Sequence, residues 1–109
     1  MTILFQVIDP RGNNITCSNE QWQNHVIQNK PFMQQYLAEV KNTLQNPDFI
    51  CQDTEHQKRQ CFYARKIRAK LYIKVIVEFK SDKDAEMITA FLADNGKKGE
   101  IILWLPLRS

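Results

Sequence analysis

No stretch of this 109-residue chain is apolar for long enough to cross a membrane, and its start (MTILFQVID) has neither the basic residues nor the cleavage site of a secretory leader. The three cysteines, Cys17, Cys51 and Cys61, form no C-x-x-C pair and are odd in number. A disulfide-stapled secreted scaffold is therefore not expected; reduced thiols in a cytoplasm are. Histidine is equally sparse. His25 and His56 stand 31 positions apart, and with scattered cysteines they offer no ligand spacing, so neither a metal nor another cofactor is expected. Repeats and composition breaks are also missing, and residues 1–109 read as a single domain.

One further absence is local. From Lys58 to Lys74 there are seven cations (Lys58, Arg59, Arg65, Lys66, Arg68, Lys70 and Lys74) and no acid. The net charge is only +3, yet residues 1–54 carry −2 and residues 55–109 carry +5. A basic stretch that also bears Tyr63 and Tyr72 has the composition that meets a phosphate backbone.

Within that stretch, Leu71, Ile73, Val75, Val77 and Phe79 alternate with Tyr72, Lys74, Ile76 and Glu78, the period of a strand with one buried face. Cys61 to Ile67 is a second β-type run, so a hairpin is expected. With Ala69 and Lys70 as loop residues, Arg68 faces Leu71, Lys66 faces Ile73 and Arg65 faces Lys74. Phe62 and Ala64 then join the buried row beside Val77 and Val75, and Tyr63, Arg65, Tyr72 and Lys74 share the other face. Two cations directly opposite cost roughly 0.2–1 kcal/mol, which an anion between them would offset. A three-residue loop instead turns Arg65 to the core face. Alternatively the outer face is simply solvated, its cations paired with Glu78, Asp82 or Glu86.

Elsewhere, Ile3 to Ile8 reads as a strand, Asp9-Pro10-Arg11-Gly12 as a turn and Asn14 to Cys17 as the returning strand. Ser18 and Gln21 form a capping box for a helix from Asn19, with Trp22, His25 and Val26 on one stripe. Pro31 ends it and opens a second helix, Phe32 to Gln45, with Met33, Leu37, Val40 and Leu44 at a 4-3-4 spacing. Asn46-Pro47 ends that one. Phe49 to Cys51 reads as a short strand and the polar Gln52 to Gln60 as a mobile loop. Ser81 to Asp84 is a turn and Glu86 to Leu92 a strand, with Met87, Thr89 and Phe91 on one face. Asp94 to Gly99 is a loop in which Lys97-Lys98 is a solvated turn or, secondarily, a phosphate contact, and Ile101 to Leu105 a closing strand or tail. The order predicts an α+β fold with a mainly antiparallel sheet.

Metal-free RNA cleavage needs a base for the ribose 2′-hydroxyl, an acid for the leaving 5′-oxygen and fixed cations for the charge of the transition state. His25 and His56 are the side chains that titrate near neutrality. Arg65, Lys66 and Lys74 are the cations expected on one sheet region, and Thr89 can place a hydroxyl beside them. Tyr63 or Tyr72 can stack on a base or donate a proton, and Lys58 extends the basic face. Each residue also has a plainer role: a rim histidine, a solvated loop histidine, a strand threonine, cross-strand tyrosines.

The wording of the chain nonetheless has a likeness. Trp22-x-x-His25-Val26, Thr43-Leu44-x-Asn46-Pro47-Asp48-x-Ile50, Phe62-Tyr63, the Tyr72-to-Val77 strand, Ile88-Thr89-Ala90-Phe91 and Lys98-Gly99-Glu100 resemble the phage-associated nuclease-like domains of the barnase, EndoU, colicin-tRNase and RelE superfamily. The resemblance runs from about Trp22 to Trp104. It implies an N-terminal hairpin and two helices on a curved antiparallel sheet, and metal-independent cleavage of RNA by a toxin or phage-conflict effector with an antitoxin or immunity protein as partner. It also implies His25 as general acid–base group, Thr89 as phosphate-orienting hydroxyl and Arg65 and Lys74 as electrostatic stabilisers. Two readings compete with it. One is a non-catalytic RNA- or protein-binding module of the same fold. The other is a structural domain that pairs through an exposed edge such as Phe49–Cys51.

Overall fold

Strand alternation and turn chemistry place the first elements where the sequence predicts them. In the computed structural model, which describes residues 2–68, 71–94 and 99–106 and the side chains of all of these but 65–68, β1 (Ile3–Ile8) returns as β2 (Asn14–Ser18). The Gly12 N–H donates to the Asp9 carbonyl at 3.0 Å, and Gly12 sits at φ +88°, a region that a Cβ disfavours. Ser18 caps the next element, its Oγ accepting from the Gln21 N–H at 3.0 Å. Only half of the expected box forms, because the Gln21 amide donates instead to the carbonyl of Ile88.

One turn of helix, α1 (Asn19–Gln21), loosens into a π-helix over Trp22–Ile27, with the Gln28 N–H bonded to the Gln23 carbonyl at 3.0 Å. Trp22 and Val26 are buried, whereas His25, expected on their stripe, is exposed. The wider turn is the reason: when hydrogen bonds close over five residues, positions three apart no longer lie above one another. Pro31 opens a 3₁₀ segment, Pro31–Tyr36, that runs into α2 (Leu37–Gln45). Met33, Val40 and Leu44 are fully buried and Leu37 packs against them, as the 4-3-4 spacing predicts.

The remaining strands are β3 (Phe49–Gln52), β4 (Arg59–Arg68), β5 (Leu71–Phe79), β6 (Asp84–Ala93) and β7 (Ile101–Trp104). Together with β1 and β2 they form one sheet in the order β1-β2-β6-β5-β4-β3-β7. The fold is α+β, and its pairs are antiparallel except β2 with β6. Through that parallel pair the N-terminal hairpin extends the sheet rather than packing on it. The helices cover one face, where Trp22, Val26, Met33 and Val40 meet Phe5, Ile15, Phe62, Ile73, Val75 and Val77. Cys51, Cys61 and Tyr63, with Phe49, Tyr72 and Ile76 against them, form a second cluster on the other face.

Three expectations are corrected. Arg68 pairs with Leu71, as a two-residue loop requires, but the register shifts between Ala64 and Arg68, so Tyr63 and not Arg65 stands opposite Lys74. Phe62 likewise pairs with Val75 and Ala64 with Ile73; a shift of two residues keeps Phe62, Tyr63 and Ala64 on their expected faces. In β6 an irregularity falls at Ile88, between the pairs Ile76–Thr89 and Val77–Met87. The extra residue flips parity, so Met87 is buried with Ala90 while Thr89 and Phe91 turn to the opposite face. Finally, Phe49–Cys51 is no edge, because β3 lies between β4 and β7. The terminal strands are β1 and, beyond β3, β7, whose Ile101, Ile102 and Leu103 are exposed.

The polar loop after β3 is pinned at its base. The Gln52 amide nitrogen lies within hydrogen-bond distance of the His56, Gln57 and Arg59 carbonyls, at 3.2, 3.0 and 3.1 Å. The hairpin loop residues Ala69 and Lys70 and the Lys97-Lys98 turn lie outside the described residues.

Candidate active site

Register brings four side chains into one row across the helix-free face. Phe91 of β6 pairs with Lys74 of β5, Lys74 with Tyr63 of β4, and Tyr63 with Phe49 of β3. Phe49 and Tyr63 stack with ring centroids 4.7 Å apart, and Tyr72 meets Tyr63 edge-on at 6.2 Å. Glu100, carried in just before β7, lies over this row. Its Oε1 accepts from the Tyr63 hydroxyl at 2.5 Å and its Oε2 from the Lys74 ammonium at 3.3 Å. The Lys74 and Glu100 side chains are only 9% and 4% exposed.

Burial makes this triad costly. Stripping water from an ammonium and a carboxylate costs several kcal/mol each, which mutual attraction and further hydrogen bonds must offset. Here the offsets are the ion pair, the short charge-assisted bond from the phenol and two aromatic faces. The Lys74 ammonium lies 5.2 Å from the Tyr63 ring centroid and 5.8 Å from that of Phe91. Ile76, Cys61 and Cys51 pave the next row on the same face. Burial raises the Cys61 thiol to about 12 and the Cys51 thiol to about 11, with the Glu100 charge adding to both. The Cys61 thiol also points at the Asp53 carboxylate, 3.7 Å away. Burial pushes that carboxyl upward, but the N–H groups of Glu55 and His56 outweigh it and its pKa is lowered.

A sheet face with an ionised, partly dry centre, on a fold of N-terminal helices and antiparallel strands, is the setting the likeness implies. Residues 5–104 match the family described as phage-Barnase-EndoU-ColicinE5/D-RelE like nuclease2. The chain belongs to that family. No curated protein and no solved structure matches it. Among the described residues no helix is long and apolar enough to cross a membrane, and no three His, Cys, Asp or Glu side chains are grouped to hold a metal ion.

Within this nuclease-family fold the expected site residues are dispersed. Lys74 is at the centre of the helix-free face, buried rather than solvated, because Glu100 covers it. Tyr63 is beside it and fully buried, so its ring stacks on Phe49 and is closed to a base. Tyr72 is half-buried at the end of the same face. Thr89 is half-buried one row away, opposite Ile76. His25 is exposed on the π-helix, and among the described residues its ring has no hydrogen bond or ion pair. His56 and Lys58 are exposed at the far end of β4. The backbone of Arg65 and Lys66 continues β4, and their side chains lie outside those described.

Two participants escape a reading by periodicity. Glu100 is the one acid between Asp94 and Ser109, set directly before an apolar strand, and that isolation is the signal that could have marked it. Lys30 precedes a proline at the end of a helix, yet its ammonium lies 5.4 Å from the Phe91 ring centroid. It links the helical segment to the helix-free face, a contact no local pattern encodes.

Proposed function

We propose that residues 1–109 form a single nuclease domain that cleaves RNA without a metal ion, through attack of the ribose 2′-hydroxyl on the adjacent phosphate. The observation that carries this reading is the buried Lys74 ammonium on the face no helix covers, in a chain of a nuclease family. An apolar pair of similar volume would serve stability as well or better than a buried ion pair, so its presence supports a task other than folding.

The roles are assigned from charge and from the likeness to the nuclease family. His25 exchanges protons with the 2′- and 5′-oxygens, Lys74 and Arg65 stabilise the charge that builds on the phosphoryl oxygens, and Thr89 orients them. The 2′-oxygen forms a bond to phosphorus as it loses its proton. The 5′-oxygen leaves with a proton, giving a 2′,3′-cyclic phosphate and a 5′-hydroxyl end. Glu100 and Tyr63 hold the ammonium in place, and Tyr72, Lys66 and Lys58 contact the flanking strand. Such an enzyme acts as a toxin or phage-conflict effector in the cytoplasm, restrained by an antitoxin or immunity protein.

Incubation of the purified protein with tRNA and mRNA in EDTA tests this. Cyclic phosphate ends are expected, and intact RNA after long incubation at micromolar protein overturns the reading. One observation favours a second reading: Glu100 already neutralises Lys74 in this conformation. A non-catalytic binding module would hold RNA through its exposed cations, giving salt-sensitive binding with no cleavage.

A further inference from the structure

Strand β6 has an edge that no strand covers beyond Glu86, since β2 pairs only with Asp84, Ala85 and Glu86. The helical segment lies along it, tied by the Gln21 amide to the Ile88 carbonyl. The two partners share a composition. From Gln21 to Ala38 the only charged or titrating groups apart from Tyr36 are His25 and Lys30, and from Met87 to Ala93 there are none. The result is a strip free of acids, bounded by Glu86 and Asp94.

Phe91 stands in that strip with two ammonium groups against its ring, Lys30 at 5.4 Å and Lys74 at 5.8 Å from the centroid. The two cations are not equivalent. Glu100 balances Lys74, whereas Lys30 has no ion pair among the described residues and is half-exposed. Arg11, Arg59 and Lys80, by contrast, all meet carboxylates. A half-exposed ammonium held against an aromatic face in an acid-free strip is built to receive an anion. Its position, one ring away from Lys74, suits the phosphate next to the one Lys74 serves.

We infer that Lys30 and Phe91 form a subsite for single-stranded RNA, Lys30 contacting a phosphate next to the scissile one as the strand passes over β6 toward the helical segment. This rests on the proposed nuclease function and names where its substrate runs. Cations interleaved with aromatic rings are how sequence-tolerant single-strand sites are made. The contact gives affinity without base preference, because a phosphate carries no sequence information.

The test is binding of a fluorescein-labelled 12-nucleotide single-stranded RNA and of a dinucleotide, across a salt series, by wild type, K30A, K30R and K30E. Matching thermal unfolding of the four proteins confirms that each is folded. For the 12-mer, K30A is expected to weaken binding about fivefold and to lower the slope of log affinity against log salt by roughly 0.7, one single-strand phosphate contact. K30E weakens it further, K30R restores it, and the dinucleotide responds less than twofold. Equal 12-mer affinity and slope for wild type and K30A overturn the subsite even when wild type cleaves RNA, leaving the nuclease reading intact. Salt-sensitive binding with the expected K30A loss but no cleavage upholds the subsite and overturns the nuclease reading. No RNA affinity at all overturns both.

Discussion

The hydroxyl of Tyr63 donates to the carboxylate of Glu100 across 2.5 Å, joining residues 37 positions apart, while the other oxygen of that carboxylate receives the Lys74 ammonium. The three groups stand or fall together. Replacing Glu100 with Ala leaves a buried cation without its counter-charge, and a loss of about 3–5 kcal/mol is expected. Tyr63→Phe removes one bond to a charged group and costs about 1.5–3 kcal/mol. The double variant Lys74→Met with Glu100→Leu is expected within about 1 kcal/mol of wild type or more stable, since apolar pairs replace buried ion pairs well. Urea unfolding of the set decides, and a double variant less stable than Glu100→Ala contradicts this account.

Activity and stability should part company at Lys74. If this ammonium faces the phosphoryl oxygens, Lys74→Met in the Glu100→Leu background folds yet cleaves RNA about 10²–10³-fold more slowly. His25→Ala is expected to cost about 10²-fold and to leave the unfolding midpoint unchanged, because the ring is exposed. Initial rates of cyclic phosphate formation measure both.

Thiol chemistry gives a test that needs no substrate. Burial raises Cys17 and Cys61 to about 12 and Cys51 to about 11. At pH 8 about one molecule in a thousand or fewer then carries any given thiolate, and the thiolate is the reactive form. Native protein should react negligibly with a disulfide reagent over an hour, and all three thiols should react at once in denaturant. Prompt modification of Cys51 or Cys61 in the native state would show that the cover over the second cluster opens.

Glu78 sets an acid limit. Hydrogen bonds from Lys80 and Arg59 hold its carboxyl at about 2, below the usual 4.5. A folded-state value below the unfolded one means that the contribution is complete above pH 4.5 and lost as the pH falls toward 2. Its side chain is a quarter exposed, so solvent and salt screen the pair and the contribution is small. Glu78→Gln should therefore flatten the stability profile between pH 4.5 and 2, most clearly at low ionic strength, with little change at pH 7.

Local patterns in the sequence reach the elements and their faces but not their partners. The alternation of Ile73, Val75 and Val77 and the stripe of Met33, Val40 and Leu44 are legible because burial imposes a period on each strand or helix. The two-residue shift after Ala64 and the extra residue at Ile88 are not, since inter-strand pairing and not local propensity sets register. The π-helix that exposes His25 is hidden for a different reason: its spacing differs from the one assumed when reading the stripe. Lys74 was legible as a cation of the outer face. Its burial was not, because the carboxylate above it comes from a segment 26 positions away.

The crossing of β7 to the far side of the sheet has a consequence for biogenesis. Strands β3 to β6 pair among themselves without any residue of β7, so those four can assemble while Lys74 still lacks its neutralising acid. Docking of the last strand against Phe49–Gln52 closes a loop of some fifty residues and delivers that acid in the same motion. Maturation of the charged centre is thereby tied to the docking of β7, and any folding species with that strand undocked carries an incomplete centre.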